Sequence, residues 1–236
     1  MAEKTFIDRH ARSFSMRDFT AGFSPVFAPA DASLTAANFG TFLGTVGTLN
    51  TNILAQQGTY KTQATSRLAL LKTILSATTQ ALARLKSNAA WGAEFKSAKQ
   101  VADKLRGKRP AKPKLPEEGE PPVEGKKRNS GEQAYAEAAA LFEKFIGILT
   151  ATAAYSTGVP AAISLGTLNG QLSGFKGLNS GLCTLAATIV TNQKKRLQLY
   201  FETGGLQEKF QSVKNAVKSQ YGQNGPEYAS VKGIRW

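Results

Sequence analysis

The stretch PAAISLGTLNGQLSGFKGLNSGLCTLAATI, residues 160–189, decides the fold. Apolar residues recur in it at alternating steps of three and four: Leu165, Leu168, Leu172, Phe175, Leu178, Leu182, Leu185 and Ile189. That spacing is the seam of a helix packing along a partner for many turns. After a polar interval at Gln193 the stripe resumes through Arg196, Leu199, Tyr200, Thr203, Leu206, Phe210, Val213, Val217 and Tyr221. Read as one helix, Pro160 to Tyr221 spans about 90 Å. Such a rod needs cover from the same chain or from another copy.

A second seam runs from Phe39 through Leu43, Val46, Leu49, Ile53, Tyr60, Leu68, Leu71, Ile74, Thr78 and Leu82 to Leu85. Asp31 or Ser33 is placed to cap this helix, and it ends near Asn88. Both rods carry glycine strips: Gly40, Gly44 and Gly47 in the first, Gly166, Gly170, Gly174, Gly177 and Gly181 in the second. Each interior glycine costs about 1 kcal/mol relative to alanine, so the strips predict flat faces where another backbone approaches. The tetrapeptide Gly-Thr-Leu-Asn occurs at 47–50 and again at 166–169, a hint of duplication.

Shorter elements fill the gaps. Residues 89–106 read as an amphipathic helix with Trp91, Phe95, Val101 and Leu105 inward. A third helix begins at Ser130 with Tyr135, Phe142, Phe145 and Leu149 as its seam, and stops at Ser156-Thr157-Gly158. The expected fold is therefore all-α: an elongated antiparallel helical bundle of about four helices, two very long, with a non-helical N-terminal arm and C-terminal tail. Its sections are a Phe-rich arm at 1–33, a first helical half at 34–106, and a Pro- and charge-rich linker at 107–131. A second helical half at 132–222 and a tail at 223–236 complete it. Pro25 and Pro29 argue against helix in the arm, and Gly222, Gly225 and Pro226 against helix at the start of the tail.

Composition bounds the function. The chain of 236 residues is 42% hydrophobic and 19% charged, which is globular, and its net charge is +14. A basic balance favours acidic partners such as nucleic acid or an anionic surface. Yet no Asp or Glu occurs between Asp31 and Glu94, or between Glu143 and Glu202, so both rods are dressed in Thr, Ser, Asn and Gln. No signal peptide and no uninterrupted transmembrane run is visible, so the expectation is cytoplasmic synthesis. Cys183 stands alone beside the seam and reads as a small buried hydrophobe.

The parts of an enzyme are scarce. His10 is the one histidine, so zinc sites built from His and Cys and nucleophile–His–acid arrangements lack members. Di-iron bundles need inward carboxylates that the rods do not carry. No phosphate-binding loop motif is present. The expectation is no catalysis, no cofactor, no metal and no small-molecule substrate.

The tail Val217-Lys218-Ser219-Gln220-Tyr221-Gly222, followed by Pro226-Glu227-Tyr228 and Val231-Lys232-Gly233-Ile234-Arg235, resembles the ending of a loose group of uncharacterised bacterial long-helix bundle proteins. The segment AQQGTYKTQATSRLALLKTILSATTQALARL, 55–85, is similar to their Ala/Thr-rich helices. The resemblance implies a helical fold and no known activity.

Three functions are weighed. The first is a non-enzymatic structural or interaction protein that self-assembles into a ring, filament or particle. Its homo-oligomeric contacts are assigned to the arms: Phe14, Phe19, Phe23, Phe27, Tyr228, Ile234 and Trp236. The second is a basic nucleic-acid binder using Lys194, Lys195 and Arg196, with Lys72, Arg84 and Lys86 on the first rod. The third is a membrane-active protein inserting the uncharged turn around Gly158 and Pro160.

Overall fold

In a computed structural model of the chain, which describes residues 3–107 and 131–236, the fold is all-α. No strand occurs among the described residues. The helices are α1 (Glu3–Ala21), α2 (Ala36–Ser87), α3 (Gly92–Leu105), α4 (Gly131–Ala151), α5 (Leu165–Phe201), α6 (Leu206–Tyr221) and α7 (Pro226–Lys232). Short 3₁₀ turns at Ala32–Leu34, Ala89–Trp91 and Ala161–Ile163 precede α2, α3 and α5. The expected linker lies outside the described residues, apart from its first and last residues.

The rod at 36–87 forms as one helix of 52 residues. Thr35 caps it, its hydroxyl accepting from the Asn38 amide at 3.4 Å. Ahead of it, the Asp31 carboxylate accepts from the Ser33 amide at 2.8 Å and the Ser33 hydroxyl at 2.9 Å. Those two bonds, the amide's first, hold the Asp31 carboxyl below the usual range. Exposed threonines along α2 turn their hydroxyls back to the carbonyl four residues earlier, as Thr48 does to Gly44 and Thr59 to Ala55. The surface is thereby polar without charge.

The arm and the tail differ from expectation. Residues 3–21 are helical because Pro25 and Pro29 lie beyond the helix end, and the buried face is Phe6, Ser13, Met16 and Thr20 rather than a stripe of Phe. The tail contains α7 because Pro226 occupies its first turn, where a missing amide hydrogen costs nothing. The rod expected from Pro160 to Tyr221 is divided. It begins only at Leu165, and Gly204 and Gly205 separate α5 from α6. Gly204 adopts φ +75, and a Cβ at Gly205 would meet the Glu202 carbonyl oxygen at 2.7 Å. Cys183 is exposed rather than buried. Its place beside the seam on α5 was too far round the helix to be covered.

The chain divides into two compact units, residues 1–59 with 186–236, and residues 60–185. Each has its own core. In the first, Phe6, Met16, Phe39, Leu43, Phe210 and Val213 are buried together. In the second, Ile74, Leu85, Phe142, Phe145, Leu168 and Phe175 are. The units cut across α2 and α5, so neither coincides with the helical halves read from the sequence.

In the first unit the His10 ring lies over Gly47, with Nε2 2.8 Å from the Leu43 carbonyl oxygen. A Cβ at Gly47 would stand 2.8 Å from His10 Cε1, whereas one at Gly44 meets nothing within 4 Å. The glycine strip of α2 therefore admits a side chain, not a second backbone. On α5 a Cβ at Gly166, Gly170 or Gly177 would also meet nothing within 4 Å.

In the second unit Tyr155 is buried and its hydroxyl donates to the Ile163 carbonyl at 3.1 Å. Burial raises this phenol above its ordinary range, with Arg84 opposing. Two outcomes are expected. Gly47→Ala lowers unfolding free energy by about 1 kcal/mol, overpacking outweighing the helix gain, while Gly44→Ala raises it by about 0.5–1 kcal/mol; urea melts read both. Because the unfolded phenol ionises near pH 10 and the folded one later, stability holds below that pH and falls above it. Tyr155→Phe flattens the fall in thermal melts taken between pH 8 and 11.

Candidate functional site

The residues assigned to assembly sit in the first unit, and all but one are engaged there. Phe27 is buried in its core, and Phe14, Phe23, Tyr228, Ile234 and Trp236 pack against that core. Trp236 meets Phe210 edge-on at 5.3 Å between centroids, and the Arg9 guanidinium lies 5.1 Å from the Trp236 ring. Arg12 donates to the Arg235 carbonyl at 3.2 Å. Lys214 donates to the carbonyls of Lys232 and Ile234, and burial lowers its pKa.

The loop after α1 is held in the same way. Phe23 packs edge-on against Tyr221 at 5.3 Å, and Gln220 bonds both the Val26 carbonyl and the Ala28 amide, at 2.8 and 2.9 Å. Arm and tail thus dock on their own chain. Phe19 is the exception at 46% exposed, at the rim of a shallow groove of about 340 Å³ with Phe23 and Pro226.

The basic triplet separates. Lys194 and Lys195 are exposed, but Arg196 is only 5% exposed, its guanidinium 4.0 Å from the Phe6 ring centroid. Arg196 therefore does not present a phosphate contact; a seam position pointed it inward. Beside it the Tyr200 hydroxyl accepts from the Asn50 side-chain amide and donates to the Phe6 carbonyl, both at 2.9 Å. The sequence reading missed Asn50 because Leu49 beside it carried the stripe.

Arg84, also expected at phosphates, is spent within the second unit. It donates to the carbonyls of Tyr155, Thr157 and Gly158 and so clamps the loop between α4 and α5. Three carbonyls around one guanidinium fix a turn in which Gly158 has φ +60.

A cavity of about 860 Å³ lies in the first unit. Phe42, Leu49 and Leu199 give it apolar walls, and Asn52, Lys195 and Glu202 its polar groups. Its size suits a small molecule, but neither His nor Cys lines it. Among the described residues, no group of three or more His, Cys, Asp or Glu is placed to hold a metal ion. None of the described helices is long and apolar enough to cross a membrane.

No family model, no curated protein and no solved structure matches this chain.

The two neighbours Arg196 and Lys194 are expected to behave oppositely. Arg196→Ala costs about 2 kcal/mol of stability, from lost packing on Phe6 and a lost cation–π contact. Lys194→Ala stays within about 0.5 kcal/mol. Chemical denaturation of the two variants checks the contrast.

Proposed function

We propose that this protein is a non-enzymatic structural protein that assembles with copies of itself. The observation that carries this reading is a set of large apolar side chains left in solvent on the long helices. Val190 and Leu197, seven residues apart on one face of α5, are 50% and 46% exposed, and Leu54 on α2 is 42% exposed. A single exposed leucine is ordinary, but a repeat at heptad spacing on a helix otherwise dressed in Thr, Asn, Gln and Lys is the pattern of an interface. With most of the arm and tail aromatics packed on their own core, this face replaces them as the assembly surface.

Of the cations that would meet phosphates, Arg196 and Arg84 serve internal partners. Lys194 and Lys195 remain exposed, as do Lys72 and Lys86 on α2, and four lysines supply few phosphate contacts.

Sedimentation velocity from about 1 to 100 µM tests the proposal. The expected result is a concentration-dependent oligomer that Val190→Glu with Leu197→Glu returns to monomer without lowering the melting temperature. A monomer for the parent protein throughout that range overturns it.

A further inference from the structure

Up to Gly204 the two units repeat one another at an offset of 129 positions; past the Gly204-Gly205 break the offset is 134, α2 and α6 ending at Ser87 and Tyr221 and α3 and α7 beginning at Gly92 and Pro226. The 3₁₀ turn at Ala32–Leu34 corresponds to that at Ala161–Ile163, and α2 begins at Ala36 as α5 begins at Leu165. At the helix starts, the Asn38 side chain donates to the Ala32 carbonyl at 2.8 Å and the Thr167 hydroxyl to the Ala161 carbonyl at 2.8 Å. Ends of α1, Glu3 and Ala21, fall within a residue of the ends of α4 when 129 is added.

Burial follows the same register. Phe39 and Leu168 are each buried, as are Leu43 and Leu172, Val46 and Phe175, Ile53 and Leu182. On the shorter helices, Ser13 pairs with Phe142, Met16 with Phe145 and Thr20 with Leu149, every one of them buried.

Sequence identity survives where polar groups are committed. Leu49-Asn50 matches Leu178-Asn179, and Arg67-Leu68 matches Arg196-Leu197. Arg67 is 6% exposed with its guanidinium 3.7 Å from the Tyr135 ring centroid; Arg196 is 5% exposed and 4.0 Å from Phe6. Tyr135 is itself 129 positions after Phe6. The asparagines serve the same carbonyl: Asn179 donates directly to the Tyr135 carbonyl at 3.2 Å, and Asn50 reaches that of Phe6 through the Tyr200 hydroxyl. The Gly-Thr-Leu-Asn match at 47–50 and 166–169 has an offset of 119 and is out of this register.

Neither unit is built from one repeat. The first takes α1 and the start of α2 from one repeat and the end of α5 with α6 and α7 from the other; the second takes the complementary parts. We infer that residues 3–106 and 132–235 are two copies of one helical module, and that the binding partner each module's long helix is shaped for is another copy of that module. Arg67 requires the ring of the second copy's first helix, and Arg196 that of the first copy's. The inference is independent of assembly between chains, because here the two copies are covalently joined.

Two experiments on the full chain test it. A site for a specific protease is placed within 108–130 and cut after folding. The expected result is that both pieces elute together at the size of the intact chain with unchanged helicity; pieces that elute apart, or lose helicity on cutting, overturn the inference. In the second, residues 49–70 are replaced by 178–199, or by 179–200 as a control shifted one residue. The matched hybrid is expected to unfold cooperatively within about 10 °C of the parent, and the shifted one to lose its transition, because the shift moves Arg196 off position 67. Equal behaviour of the two hybrids, folded or unfolded, overturns the shared register.

Discussion

Each unit depends on a guanidinium shut away from water beneath an aromatic ring. A buried arginine is expensive unless its charge is met, and the face of Phe6 or Tyr135 meets it with an attraction of up to about 2 kcal/mol once desolvated. Arginine suits the task because its planar, weakly hydrated head stacks where an ammonium would not. The contact also fixes register. A one-residue slide of α1 along α5 leaves the Arg196 charge buried with no ring above it, while an all-apolar seam would tolerate the slide far better.

Other cations are committed to internal partners as well. Arg84 clamps three carbonyls, Lys214 closes the end of α7, Lys209 reaches the Ser33 hydroxyl at 2.9 Å, and Lys176 pairs with Glu143 at 2.9 Å. These four cations serve as hydrogen-bond donors to loops and neighbouring helices. Acidic residues would compete with those carbonyls for the same donors, which accounts for rods almost free of them.

The helices were legible in the sequence wherever a seam of Leu, Ile and Phe ran at steps of three and four. The start and end of α2 were read to within a few residues. What escaped was helix written in mixed residues. The inner face of α1 uses Ser13 and Thr20 as well as Phe6 and Met16, and a hydropathy pattern does not register hydroxyls packed at 0% and 3% exposure. Arg196 occupies a seam position and is buried there, although its charge suggests solvent. The repeat escaped for a related reason: only a few of its matched positions are identical, and the equivalence lies in burial and in partners rather than in letters.

The distance along the chain between contacting groups sets an order of events during synthesis. Tyr200 closes on the Phe6 carbonyl across 194 residues, and Arg12 on Arg235 across 223. Residues 60–185 already contain everything their own core needs, so that core can consolidate while translation continues. The first fifty-nine residues must instead wait for the segment 186–236 that completes their unit. Phe6, Met16 and Phe39, buried in the finished fold, lack that cover during the interval.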